Sequence, residues 1–563
     1  MSEKSPRKLS ARLNWLLASA RVLIFGGLSL SSTITGHAVT HTWTGAGLTG
    51  WWSDTANWQG NSPPQRGEVG INLEFPPGAS RLSSSNDMSG LSISQLTFSG
   101  NGYVLSGTNA LILSLSAGDS VAATSGSNHI ALPLLLEATN TFHVATNASL
   151  SLSGNLSGPG AFSLKGGGLL ALSPAAGLDN TYLGTTHVLE GMLQLDSGRT
   201  NDLFGTRFYA TAVPGVLVIG ATNGVAPAVL RGMAMSPNTD LTLLGAGRYE
   251  VIGDLLEFGS LSGDGFVDCQ GQSFRVGGND CSTLFTGQIN GRSDAGFQKV
   301  GKGTLTLAGG DAGPVTMGIL EGKLVVDGNF TNSTAVIGLP LNGFEGGRLE
   351  GNGSLLEIIA HGPVSPGHEN PGLLATMSAI FDLDSQLIVR LGGTNAGVNY
   401  DQLVAGQRCD IVDHSASLQV VMLPGFVGAV GNQYTLVRLD GTNDVGGFVA
   451  EFNGLPEGAF LTLAGGAAFQ ITYHGGDGND IVLTQAAAQP VLDQPFVLPN
   501  GNVVISGIGT AGVTYEVQTN SSLSDPFGWA AAGTAPTPPD GHFTFVHTPS
   551  PGLPQIYYRL RAE

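Results

Sequence analysis

The sequence predicts an all-β protein: a right-handed parallel β-helix (a solenoid) over roughly residues 39–487, followed by a small β-sandwich over 488–563. Three observations carry this. Gly supplies 85 of the 563 residues, about twice ordinary usage, and each Gly inside a helix costs ~1 kcal/mol relative to Ala. Apolar and polar residues alternate with period two in short runs such as Leu96-Thr97-Phe98, Leu111 to Leu115 and Thr304 to Leu307, and such runs recur about every 8 to 12 residues between Gly, Asn, Ser and Asp turns. Finally, residues 158–195 and 295–326 follow one scheme. An aromatic (Phe162, Phe297) is followed by a Lys (Lys165, Lys299), a Gly-rich turn, a Leu-rich strand, a gap and a Glu-Gly turn (Glu190-Gly191, Glu321-Gly322). From Lys to the second Gly the scheme runs 26 and 23 residues (165 to 191, 299 to 322), close to one solenoid coil.

Residues 1–38 read as a secretory signal. Lys4, Arg7, Lys8 and Arg12 form its basic start, Val22 to Leu30 its apolar stretch, and Gly36-His37-Ala38 a small-x-small cleavage site. A membrane anchor is the competing reading, but Arg21 interrupts the apolar run, and what remains is shorter than the ~18 residues a span needs. The expectation is a protein that is secreted or held in the cell envelope or at the cell surface, with no membrane span after signal cleavage. Loss of residues 1–38 removes five basic residues and Glu3, so the balance moves from −19 to 18 basic against 41 acidic, or −23. Such a charge repels phosphate, so nucleic acid is not an expected partner.

Residues 39–130 are expected to form an aromatic N-terminal cap and the first coils. Trp43, Trp51, Trp52 and Trp58 are four of the chain's six tryptophans. Either they plug the open end of the core, or Trp51, Trp52 and Trp58 are exposed rings on which sugars stack. Residues 131–330 carry the repeats. Here Cys269 and Cys281 are spaced so that adjacent coils could close a disulfide, with isolated thiols as the other reading; Cys409 stands alone, and no cysteine spacing suits zinc. Asp254, Asp264 and Asp268 with Arg275 are the best carboxylate group for acid–base cleavage of a glycan. Yet Asp264 lies in Ser-Gly-Asp-Gly, where Asp serves a turn. No nucleophile elbow, zinc-protease helix or phosphate loop occurs, so no catalytic residue is assigned and an enzyme is not expected.

Residues 331–487 are expected to complete the solenoid. Within them Gly475 to Leu483 (GGDGNDIVL) fits the calcium-binding nonapeptide pattern, which makes Asp477 and Asp480 metal candidates. A single copy supplies half a coordination shell, so the alternative is a plain turn and no cofactor. Beyond a linker at 485–490, strands expected at 502–506, 515–519, 543–546 and 556–560 suggest a small sandwich resembling fibronectin type III.

Several phrases together resemble the autotransporter-associated β-strand repeat proteins, large exported bacterial passengers. They are Lys299-x-Gly301-x-Gly303-Thr304-Leu305-Thr306-Leu307 followed by Glu321-Gly322-x-Leu324, the start Thr42-Trp43-Thr44-Gly45 with Asn57-Trp58, and Ser365-Pro366-Gly367 through Pro371-Gly372. Tyr400-Asp401-Gln402-Leu403, Tyr434-Thr435-Leu436 and Tyr473 to Asp480 extend the likeness over about residues 42–484. The resemblance implies a passenger-like β-helix displayed at or released from the cell surface. About 76 residues follow position 487, too few for a membrane barrel of that family's kind. The expected function is therefore that of an exported, non-catalytic structural or adhesive protein, whose partner is an extracellular polysaccharide or another surface protein. The alternative is a polysaccharide-binding or polysaccharide-cleaving β-helix.

Overall fold

The computed structural model describes residues 38–562 apart from 115–117, 176–177, 197–198, 202–206, 210, 233–234, 253–255, 293, 339–345, 441–450, 464–466 and 488–489. The basic and apolar segments of the signal reading lie outside the described residues. From Thr40 onward, short strands stack in parallel on their equivalents one coil later. On the first face, Leu73, Leu96, Val121, Phe142, Leu164, Val188 and Ile219 are successive register partners in one column. Every one of them is buried. Strict alternation produces this column: with a side-chain period of two, keeping Leu or Val in register keeps the whole apolar set on the inner side of the wall.

Coil length varies around the expected 22 residues. Phe142 pairs with Leu164 22 positions on and Leu305 with Leu324 19 on, while the extremes are Leu349 to Val364 and Leu193 to Leu230. The second face begins at Ser83–Ser85 and Val104–Ser106. Between residues 256 and 319 it divides into two columns. Phe266–Asp268 and Gln288–Asn290 stack in one, and Leu256–Phe258, Ser273–Val276, Gly296–Lys299 and Thr316–Ile319 in the other. The long strand Asn329–Ile337 then runs through both, with a register shift between Phe330 and Thr334 marking the corner.

The parallel ladder ends earlier than the expected boundary at 487. Its last parallel strands are Ser417–Met422 and Gln433–Leu439. Gln433–Leu439 then pairs antiparallel with Asp480–Ala486, and Ala468–Gly475 joins antiparallel on the other side. Phe469, Ile471 and Leu483 belong to the same continuous core, so these strands close the C-terminal end without adding coils.

The sandwich follows. Val503–Ile508 pairs with Val491–Leu492, Phe496–Val497 and His542–His547. The facing sheet has the order Ala530–Pro536, Thr514–Asn520, Tyr557–Ala562. Val503, Ile505, Val517, Ala535 and Phe543 form its small core. The four strands expected from sequence lie within two residues of their observed places at 503–508, 514–520, 542–547 and 557–562.

Candidate functional site

The N-terminal tryptophans divide by burial. Trp43, Trp52 and Trp58 are buried and Trp51 is 57% exposed. Trp58 makes edge contacts with Trp43 and Trp52 at centroid distances of 5.1 and 6.0 Å, and all three rings lie against Phe75. Phe75 stacks in turn on Phe98 at 5.4 Å. Trp52 and Trp58, expected as possible sugar platforms, therefore have no free face, and the plug accounts for them. Asn57 holds the loop that bears them. Its Oδ1 accepts from Gly47 N at 2.8 Å, and its Nδ2 donates to Thr49 O and Trp51 O at 3.0 and 2.9 Å. Sequence reasoning gave Asn57 no role. Its signal was a polar residue between tryptophans in a loop that must bury its own backbone.

The repeat motif is a corner lock. Lys299 is buried, and its Nζ donates to Val300 O at 2.6 Å, Gly301 O at 2.7 Å and, one coil on, Glu321 O at 3.3 Å. Glu321 returns the bond across the same corner, its Oε2 accepting from Gly301 N at 3.1 Å. Burial pushes the Lys299 ammonium down to about 8, opposed by the nearby Glu321 and Asp280. Glycine is required where the corners stack. Gly191 and Gly322 have φ of +85° and +66°, and a Cβ on either would stand 2.4 Å from a carbonyl oxygen of the preceding corner, Gly166 O and Gly301 O respectively.

The two copies differ in one respect that the sequence scheme missed. Aligned on their aromatics and glycines, Lys165 stands opposite Val300, and Leu164 opposite Lys299. One residue of offset in a strand reverses the side. Lys165 accordingly points outward to Asp119 at 2.6 Å, where His143 also reaches at 3.1 Å, while Leu164 is buried. The copies also occupy different columns. Phe162–Lys165 lies on the first face and Leu169–Leu172 on the second, whereas Gly296–Lys299 lies on the second and Thr304–Leu307 on the first.

The carboxylate group does not assemble. Asp254 lies outside the described residues. Asp264 is exposed and accepts from Gly245 N at 2.8 Å, the turn role its sequence suggested. Asp268 is buried under Arg248, which also reaches Glu250 at 3.5 Å; Glu250 in turn pairs with Arg231. Arg275, on the other of the two columns, donates to its register partner Gln298 at 2.8 Å. Arg231, Glu250 and Asp268 are consecutive register partners, and Arg248 reaches both carboxylates, so this is an ion-pair ladder running along the wall. A second such group joins Lys323 and Arg348 to Glu350 at 2.9 and 2.7 Å.

Sequence reasoning also missed a third group. Asp401 is completely buried and receives four bonds, from Gly372 N at 2.8 Å and from Arg390 N, Nε and Nη2 at 2.8, 2.7 and 2.9 Å. Arg390 spends its remaining donors on His368 O, Pro366 O and Asn370 O at 2.8, 2.8 and 2.9 Å. One guanidinium thus ties Pro366–Gly372 to Tyr400–Leu403. Burial still pushes the Asp401 carboxyl above the usual carboxylate range, against the pull of Arg390.

The calcium-like nonapeptide forms the turn of an antiparallel hairpin, with Gly475 opposite Asp480. Asp477 is exposed; Asp480 is buried, and its Oδ1 accepts from Leu439 N at 2.9 Å. Burial raises the Asp480 carboxyl, and Asp477 and Asp440 raise it further. Among the described residues no three His, Cys, Asp or Glu side chains are grouped as metal ligands would be. Of the cysteine pair, Cys269 is buried and Cys281 is exposed, and both are free thiols in this structure. Cys269 follows a second-face strand and Cys281 precedes a first-face strand, so the coil turns between them. Burial pushes the Cys269 and Cys409 thiols up to about 12, which makes both inert.

The fold and these contacts define a β-solenoid protein whose most deeply placed polar groups join one coil to the next. Neither a protein-family model nor a curated protein sequence matches the chain.

Proposed function

We propose that this is an exported, non-catalytic structural or adhesive protein, a β-solenoid rod presented at the cell surface or released from it. The observation that carries the reading is the use made of its charges. Asp268, Glu250, Glu350 and Asp401, which a glycan-cleaving β-helix would aim at substrate, are spent on arginines and lysines of the same or the preceding coil. A catalytic acid needs a raised carboxyl within reach of the scissile oxygen. The raised carboxyl of Asp401 is instead enclosed, with every donor around it supplied by the chain. The N-terminal signal pattern supports export, and the likeness to passenger repeats supports display. Adhesion to an extracellular polysaccharide or a surface protein is the partner class this implies.

The test has two arms. Purified protein is incubated with a panel of soluble acidic and neutral polysaccharides, and chain cleavage is followed by reducing-end release and by absorbance of unsaturated ends. No cleavage is expected. Turnover abolished by Asp268→Asn would establish the polysaccharide-cleaving alternative. In the producing cell, the mature N-terminus is expected at Val39 in the envelope or medium fraction, and retention of Met1 in the cytoplasm contradicts export.

A further inference from the structure

The sandwich has four outer edges, and two of them are protected by irregularities of their own strands. The edge formed by Val491–Leu492 and Phe496–Val497 is broken in two, with Pro495 in the break. Ala530–Pro536 carries a register shift against Thr514–Asn520 and ends in proline. His542–His547 pairs with Val503–Ile508 without a shift and is also regular, but its outward residues His542, Thr544 and Val546 form no row of one charge. Bulges, prolines and breaks are the means by which natural sheets keep an edge from pairing with another chain.

Tyr557–Ala562 likewise has no break, bulge or proline. It pairs with Tyr515–Asn520 over its whole length without a shift, contains no proline, and has no strand on its other side among the described residues. The core beneath it is also unfinished. Its inward residues Tyr558 and Leu560 pack against the sandwich core yet remain only half-buried, while Val517, the register partner of Leu560 on the central strand, is buried. Its outward residues are Arg559 and Arg561, in a chain with an excess of 19 negative charges.

We propose that this edge receives a β-strand from a partner polypeptide, apolar at alternate positions and acidic at those between. Backbone pairing would satisfy the free edge, the apolar positions would cover Tyr558 and Leu560, and the acidic ones would stand opposite Arg559 and Arg561. The arginines also oppose symmetric pairing of this edge with the same edge of a second copy. In either antiparallel register that pairs five residues of two such strands and keeps inward residues opposite inward ones, Arg559 falls opposite Arg559 or Arg561. Like charges directly opposite one another destabilise a ladder.

The experiment uses the full chain and three fluorescein-labelled ten-residue peptides: alternating Val and Glu, alternating Val and Lys, and the Val–Glu composition arranged in two blocks. Binding is read by fluorescence anisotropy at low ionic strength. The alternating acidic peptide is expected to bind at least about tenfold tighter than either of the others. The double variant Arg559→Glu/Arg561→Glu is expected to reverse the acidic-over-basic preference. Arg561→Glu alone, whose side chain is fully outward, should reduce it even where the double variant fails to fold. Absence of binding, equal binding of all three peptides, a preference untouched by either variant, or a concentration-dependent dimer that the acidic peptide dissociates would each overturn the proposal.

Discussion

Arg390→Leu removes the single guanidinium that ties the turn at Pro366–Gly372 to Asp401. In the folded protein Asp401 has no solvent contact, and it loses two side-chain bonds, at 2.7 and 2.9 Å, together with the only positive charge bonded to it. Three carbonyls, of His368, Pro366 and Asn370, lose a charged donor as well. Removing one member of a buried ion pair typically costs about 3–5 kcal/mol, a large part of the roughly 5–15 kcal/mol that holds a domain folded. Asp401→Asn keeps a side-chain oxygen for one of the backbone donors and should cost less, about 1–3 kcal/mol. The cost of Arg390→Leu should also depend on pH. With its carboxyl already raised by burial and now unpaired, Asp401 binds a proton in the folded state before the unfolded one, so the penalty shrinks as pH falls from 7 toward about 4. Urea melts followed by far-ultraviolet circular dichroism at both pH values measure this. A cost below about 1 kcal/mol, equal at the two pH values, would refute the reasoning.

Three further outcomes follow from the same geometry. Leu305→Asp places a carboxylate in the column between Thr283 and Leu324 and should cost several kcal/mol, whereas Thr306→Asp, one residue on and facing out, should change stability by less than about 1 kcal/mol; equal costs in urea melts would break the register. The buried Lys299 ammonium titrates at about 8 in the folded state and near 10.4 when unfolded, so the unfolded chain holds the extra proton between those values. Stability should therefore rise with pH across that window, by at most about 3 kcal/mol, and Lys299→Met should remove the rise. Melting temperatures in millimolar calcium and in chelator should agree within about 1 °C, because Asp480 serves Leu439 N; a rise of several degrees that Asp480→Ala abolishes would make the hairpin a metal site.

Local pattern made most of this fold readable. Period-two alternation located the strands because each wall has one wet and one dry side, and three of the four clustered tryptophans, Trp43, Trp52 and Trp58, mark the end of the core, where large apolar rings close it. What escaped was information that lies between distant residues. Lys165 and Lys299 looked equivalent by order, yet one residue of offset sent the first to Asp119 and the second into the corner. Arg390 carried no local motif, since its partners lie 11 to 24 positions away on other turns of the chain. The antiparallel closure after Leu439 was also hidden, because Tyr434-Thr435-Leu436 alternates in the same way whether its neighbour runs up or down. Cys269 and Cys281 are near in sequence, but a coil turns between them. Spacing along the chain does not report which side of the solenoid a residue faces.

Parallel stacking itself is tested most directly by a distance along one column. Ser163 and Thr306, 143 residues apart in sequence, stand next to Leu164 and Leu307, which are joined through Val188, Ile219, Leu243, Gly263 and Phe285 by six register steps. At about 4.8 Å per step their Cα atoms should lie roughly 29 Å apart. Spin labels on Ser163→Cys and Thr306→Cys, with the exposed Cys281 replaced by Ser, report this distance by double electron–electron resonance. A single narrow distribution near 3 nm is the predicted result. A broad distribution, or a peak beyond about 4 nm, would contradict the solenoid register on which the rest of the account depends.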